Sequence, residues 1–129
     1  MSRTITLTIA APDEWINSNQ RLNRYRLAER VKTWRTAAAA TARPIGPLVP
    51  PVRIIAHIWK PRAGRYDPNN LAPTTKACVD GLVDAGLLED DSVDYVVGPD
   101  HRHGGKGPAR IVLEIIELGF GDDAATAAV

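Results

Sequence analysis

The stretch that most constrains the fold is residues 65–97, RYDPNNLAPTTKACVDGLVDAGLLEDDSVDYVV. Within it, apolar residues at helical spacing lie between a loop rich in proline and asparagine and a run of acidic residues. Three boundary signals fit a helix over residues 71–85: Pro73 in its first turn, Asn70 or Thr74 as its N-cap, and Gly86 as its stop. We therefore predict a short helix bracketed by polar residues.

The polar side chains around this helix are those of a site for a hard cation. Asp67 lies in the loop before the helix, Lys76 near its start, and Glu89, Asp90 and Asp91 after its end. Carboxylate and amide oxygens suit Mg²⁺, which takes one or two protein carboxylates and keeps several waters for phosphate chemistry. A lysine beside the ion can stabilise charge that builds up on a phosphate. The alternative reading is a capped amphipathic helix followed by an acidic turn in solvent.

A shared metal would require the chain to double back after the helix. At about 1.5 Å per residue the helix is about 20 Å long, so its two ends are far apart. Residues 87–91 can span about 16 Å in an extended conformation. We expect them to run back along the helix, so that Asp90 and Asp91 enter a strand that pairs near Asp67.

The charge of the chain is divided unevenly along its length. Residues 1–65 carry twelve Lys and Arg against three Asp and Glu, a balance of +9, and residues 66–129 carry four against twelve, a balance of −8. This distribution predicts a basic surface for an anion beside an acidic pocket for a cation, although the two halves could also simply neutralise each other. The single Cys78 excludes a disulfide framework and is expected in the core. No membrane span or signal peptide is recognisable, so a cytoplasmic protein is expected.

The remaining apolar patterns predict strands and one further helix. Period-two alternation predicts strands over residues 4–9 and 52–59, and a hairpin of the strands 93–97 and 110–118. An apolar stripe of Leu27, Val31, Trp34 and Ala38 predicts a helix over residues 26–41. Its basic residues are expected outside the core, either in solvent or against DNA. The fold class is therefore α+β: one mixed sheet of about four strands with two main helices, in the order β-α-β-α-β-β. We expect a single domain over residues 1–118 and a disordered tail over residues 119–129.

Several basic residues are candidates for contacts to a nucleic-acid backbone. They lie in the Asn/Arg-rich loop, in the loop before Asp67 and near the C-terminal glycines, and are Arg21, Arg24, Arg62, Arg65 and Lys106. A solvated surface would look similar in sequence. His101 and His103 form a His-x-His pair, but with no third ligand nearby a basic hairpin tip touching DNA is favoured over a transition-metal site.

The central motif resembles the RusA-type Holliday-junction resolvases, which are crossover junction endodeoxyribonucleases. The resemblance rests on an ordered set: Asp67-Pro68-Asn69-Asn70, Lys76, Asp80-Gly81-Leu82, Ala85-Gly86 and Asp90-Asp91-Ser92-Val93. Weaker similarity covers most of residues 4–119, including an early ITL strand and a Lys-Gly turn before the last strand. The resemblance implies the same fold and a homodimer that binds four-way or other branched DNA and makes paired, Mg²⁺-dependent cuts. It implies that Asp67 and Asp91 are metal ligands, that Lys76 is the catalytic lysine, and that Asp90 supports the site.

The chain departs from the family pattern at two places. Asn69 stands where the pattern has a second loop aspartate, and its amide oxygen can ligate a metal but brings no charge. Three additional residues within 71–75 shift Lys76 relative to the loop. Alternatives are a junction-binding relative that does not cut, a nuclease for other branched nucleic acids or RNA, and a small-molecule Mg²⁺ enzyme. Ile55 and Trp59 are candidates for the dimer interface.

Overall fold

The structure, a computed structural model, describes residues 3–62 and 64–119. The elements follow in the order β1 (Thr4–Ala10), α1 (Arg24–Ala42), β2 (Val52–Lys60), a 3-10 helix (Pro68–Leu71), α2 (Ala72–Asp84), β3 (Val96–Lys106) and β4 (Arg110–Glu117). The predicted α+β fold, with one mixed four-stranded sheet and two main helices in the order β-α-β-α-β-β, is confirmed. Nearly all of the predicted disordered tail, from residue 120 onward, lies outside the described residues.

The sheet has the strand order β1-β4-β2-β3. Strand β4 pairs antiparallel with both β1 and β2, whereas β3 runs parallel to β2 at the edge of the sheet. The predicted hairpin between the last two strands is therefore wrong. Strand β4 buries Ile111, Leu113 and Ile115 completely, which suits a central position, and the polar, glycine-rich β3 suits an edge.

The predicted position of the third strand is also wrong. Residues 93–95 form a turn in which Val93 is 88% exposed, and the backbone N–H of Val96 donates to the carbonyl of Ser92. Strand β3 begins only at Val96 and continues through the segment that was expected to be a flexible loop. Asp90 and Asp91 consequently precede a turn and do not enter a strand.

The core lies between one face of the sheet and the two helices. On β2 the side chains of Val52, Ile54, Ala56 and Ile58 are buried, in the period-two pattern expected from the sequence. The helices contribute fully buried Trp34 and Cys78 to the same cluster. Burial raises the pKa of the Cys78 thiol to about 12, in agreement with a core role for this residue.

The packing of α1 differs from the predicted stripe at its N-terminal end. Trp34 and Ala38 are buried and Val31 is half-buried, but Leu27 is 37% exposed. Arg30, expected in solvent, is buried instead and lies 3.3 Å from a carboxylate oxygen of Glu14. Periodicity alone does not predict this, because the ion pair that makes burial of Arg30 tolerable involves a residue of a distant loop.

Contacts from both helices hold the long loop after β1 in place. The indole N–H of Trp34 donates to the carbonyl of Glu14 at 2.9 Å, and the Trp15 ring stacks on Trp34 with centroids 5.2 Å apart. Thr74, predicted as a possible N-cap, is instead fully buried, and its hydroxyl bonds both the N–H and the carbonyl of Ile16. The loop therefore packs against the first turn of α2, where the candidate site lies.

Within the described residues, neither helix is sufficiently long and apolar to traverse a lipid bilayer.

Candidate active site

Asp67 initiates the 3-10 helix that precedes α2. Its carboxylate accepts a hydrogen bond of 2.9 Å from the backbone N–H of Asn69, and Pro68 occupies the first helical position. Asp67 is exposed and lines an open cleft of about 510 Å³ together with Arg65, Tyr66 and His103. The sequence thus folds locally to present a carboxylate at the surface beside basic and aromatic side chains.

Lys76 and Asp91 meet directly, although fifteen positions separate them in sequence. The Lys76 ammonium lies 3.0 Å from Asp91 Oδ2 and 3.1 Å from Asp80 Oδ1. The hydrogen bonds that the Lys76 ammonium donates to Asp91 and Asp80 raise the pKa of Lys76, and the bond that Asp91 accepts from Lys76 lowers the pKa of Asp91. Both groups therefore carry their charge at neutral pH. The expectation that residues 87–91 run back along the helix is confirmed by this contact.

A cavity of about 400 Å³ opens beside this ion pair. Its lining includes Lys76, Asp91, Thr75 and His101. The Nε2 atom of His101, on β3, lies 3.1 Å from the hydroxyl of Thr75 on α2. Burial lowers the pKa of His101, while the negative charges of Asp100 and Asp67 oppose this shift. His101 therefore shares a cavity with Asp91 and also lies within electrostatic reach of Asp67.

The sequence placed His101 at a hairpin tip and did not predict its position beside Lys76 and Asp91. The surrounding glycines and Pro99 indicated a hairpin tip, whereas the segment is an edge strand in which His101 pairs with Ala56 of β2. Residues 100–103 are uniformly polar, so the segment carries no period-two signal, because an edge strand needs no apolar face.

The remaining predicted ligands make local contacts. The side chain of Asp90 accepts a hydrogen bond of 2.8 Å from the backbone N–H of Asp91, and Asn69 is exposed beside Asp67. Asp67 and Asp91 line different cavities. Across residues 3–62 and 64–119, no three His, Cys, Asp or Glu side chains lie close enough together to hold a metal ion. The structure thus joins Lys76 to Asp91 but does not assemble the four predicted ligands into one cluster.

The five basic candidates fall into two groups. Arg62 and Lys106 line a pocket next to the Asp67 cleft, and Arg65 lines that cleft itself. Arg21 and Arg24 are exposed at the start of α1, after a loop whose Ser18 N–H donates to the carbonyl of Asn70. Within the described part of the chain, none of the five belongs to an ion pair. Their charges are free to meet an external anion.

Comparison of the chain with models of protein families and with curated proteins finds no match. The resemblance to junction resolvases therefore rests on the residues of the central motif.

Proposed function

We propose that the chain is a Mg²⁺-dependent endonuclease that cuts four-way or other branched DNA. The observation that carries the proposal is the Lys76 ammonium held between the carboxylates of Asp91 and Asp80 at the mouth of a cavity on α2. Asp67 stands at the start of the helical segment leading into α2, and basic residues without ion-pair partners line the adjoining surface. The ordered motif that resembles RusA-type resolvases supports the same activity.

The donor groups are chemically suited to Mg²⁺. Asp67 and Asp91 are exposed carboxylates, and one or two carboxylates completed by water are a usual set for this ion. Asn69 and Asp90 stand next to them in sequence and would contribute an amide oxygen and a supporting carboxylate. When bound, Mg²⁺ would polarise a phosphodiester and lower the pKa of the attacking water.

Lys76 supplies the positive charge that phosphodiester hydrolysis requires. Its ammonium group has three donors, two of which engage carboxylates in the present arrangement. With Asp91 ligating a cation, the ammonium would be free to turn toward the phosphate and offset charge on the leaving oxygen. Arg62, Arg65 and Lys106 would hold the flanking backbone through charged hydrogen bonds.

The proposed assembly is a homodimer, because a four-way junction has approximate two-fold symmetry and an isologous dimer presents the same surface twice. Ile55 and Trp59 are candidates for its interface, and both are half-buried on the sheet face away from the helices. The Trp59 ring is already covered in part, since the Arg110 guanidinium carbon lies 4.0 Å from its centroid.

The test is cleavage of a synthetic four-way junction, with and without Mg²⁺, beside a linear duplex. We expect junction-selective cuts only with Mg²⁺, and a loss of at least about a hundredfold in Asp91→Asn. Asp84→Asn is the matched control, because Asp84 pairs with Arg35 at the opposite end of α2. Unchanged cleavage by Asp91→Asn would refute the assignment of the site.

A second candidate function is junction binding without cleavage. It is favoured by one observation, namely that the described residues do not bring three ligands together. Binding of the junction by wild-type protein with no nicking in Mg²⁺ would establish this function in place of the first. Equal cutting of junction and duplex would indicate a general nuclease.

A further inference from the structure

We propose that Lys60, Arg62, His103 and Lys106 form a pocket around Tyr66 that binds one phosphate group of a nucleic-acid backbone. These four side chains, with Tyr66 and two glycines, line a cavity of about 240 Å³. The inference deepens the proposed nuclease function and rests on it for the identity of the ligand. Lys60 and Tyr66 are new to this role, and the pocket is a discrete site rather than a diffuse basic surface.

The sheet register forces two of the positive charges together. Lys60 and Lys106 are Cα partners at the ends of the parallel strands β2 and β3, and the N–H of Gly107 donates to the Lys60 carbonyl. Like charges directly opposite each other destabilise a sheet. Arg62, two residues beyond Lys60, adds a third positive charge. An anion bound among them would relieve this repulsion.

No carboxylate belongs to the lining of this pocket in the described residues. Burial lowers the pKa of Lys60, and among residues 3–62 and 64–119 no carboxylate opposes that shift. Buried Arg30 and half-buried Arg53 each contact a carboxylate, and half-buried Arg110 packs on the Trp59 ring. Lys60 thus has a desolvated ammonium group whose missing counter-charge an external anion would supply.

Tyr66 gives the pocket a fixed wall. The Lys60 ammonium lies 3.9 Å from the centroid of the Tyr66 ring, and the His103 ring makes an edge contact with it at 4.5 Å between centroids. The Tyr66 hydroxyl donates to the carbonyl of Ile58 at 3.4 Å, which ties the ring to β2. Because one ring positions two of the four basic groups, their arrangement is set before a ligand arrives.

The position of the pocket points to a backbone phosphate rather than a free one. It shares Gly64, Tyr66 and His103 with the cleft that Asp67 lines. A polyanion crossing this shared wall would place one phosphate among the basic groups and a neighbouring one beside Asp67. Arg and Lys contacts of this kind fix the register of a strand without reading its sequence.

The experiment measures binding of a fluorescent four-way junction by anisotropy in EDTA, over a series of salt concentrations. Loss of two phosphate-binding charges in Arg62→Gln/Lys106→Gln should weaken binding about tenfold or more at 0.1 M salt and lower the salt slope by about two. Arg43→Gln is the control, because Arg43 caps the far end of α1, and its charge is sensed by Asp84. We expect it to leave affinity and slope within about twofold of wild type.

A second pair of variants separates a built pocket from a diffuse patch. Tyr66→Ala removes no charge but releases Lys60 and His103, so binding should weaken at least about threefold. Tyr66→Phe loses only the long hydroxyl contact to Ile58 and keeps the ring that both groups touch, so its affinity should stay within about twofold of wild type. Equal affinity of Tyr66→Ala and wild type would overturn the pocket, as would an unchanged salt slope in the double variant. Inorganic phosphate or a nucleoside monophosphate that competes fully below about 1 mM would show that free phosphate is the ligand.

The outcomes also separate this inference from the proposed function. Wild-type protein that cuts the junction while both pocket variants bind normally would refute the pocket alone. Wild-type protein that binds the junction through the pocket but never cuts it would refute cleavage alone. Absence of any nucleic-acid binding would refute both.

Discussion

The attachment of the long loop to α2 gives a quantitative prediction through Thr74. This side chain is fully buried, and its hydroxyl accepts from the Ile16 N–H at 2.8 Å and donates to the Ile16 carbonyl at 2.7 Å. Thr74→Val keeps the shape of the side chain but leaves both backbone groups without these bonds. Each buried unsatisfied group costs about 1–3 kcal/mol, and the added methyl recovers about 0.8 kcal/mol. We therefore expect the free energy of unfolding to fall by about 1–5 kcal/mol.

The matched control is Thr41→Val. The Thr41 hydroxyl bonds only the carbonyl of Ala37 within its own helix, so its removal should change the free energy of unfolding by less than about 1 kcal/mol. Equilibrium unfolding in urea measures both variants, with an unchanged slope as the check that the transition remains two-state. Amide hydrogen exchange should also show reduced protection of the Ile16 N–H in Thr74→Val alone. A loss below about 0.5 kcal/mol in Thr74→Val, or equal losses in the two variants, would refute the reasoning.

Two further predictions concern helix packing and pH. In Gly81→Ala the new Cβ would meet the carbonyl oxygen of Arg35 on α1, so we expect the free energy of unfolding, measured in urea, to fall by about 1–3 kcal/mol. At an exposed helix position the same change would instead raise it by about 1 kcal/mol. An unchanged free energy of unfolding would mean that α1 and α2 can move apart to accommodate the methyl group at no cost. Burial lowers the pKa of His101, so the unfolded chain binds a proton on this ring more readily than the folded chain does. The contribution of the neutral ring to the free energy of unfolding should therefore be fully present above about pH 6.5 and fall below that pH. His101→Gln should flatten the decline in unfolding free energy between about pH 7 and pH 5, and an unaltered pH profile would contradict the burial of this ring.

The elements predicted correctly from the sequence are those in which burial alone determines the residue type. Strand β4 alternates half-buried and buried side chains along its whole length, and β2 does the same as far as Trp59. Strand β3 was misplaced because it is an edge strand with a bulged register against β2, where glycine and Pro99 are tolerated. The pairing order was predicted wrongly for a related reason. The prediction assumed a hairpin because strands adjacent in sequence usually pair, but β4 has too many buried residues for an edge position and lies between β1 and β2.

The candidate site was predictable in composition but only partly in geometry. Helix length and loop reach correctly indicated that Asp91 returns to α2, where it meets Lys76. The same reasoning did not identify His101, because its proximity depends on the parallel pairing of β3. The basic pocket was likewise not predicted, because Lys60 and Lys106 become neighbours only through the parallel register of β2 and β3.

The central claim, that Asp67 and Asp91 hold one divalent ion, is tested most directly by anomalous diffraction from crystals soaked in Mn²⁺, an ion that oxygen ligands also accept. The account predicts one anomalous peak within coordination distance of both carboxylates, with the Lys76 ammonium displaced from Asp91. A peak that contacts only one of the two carboxylates, or no peak at saturating Mn²⁺, would contradict it.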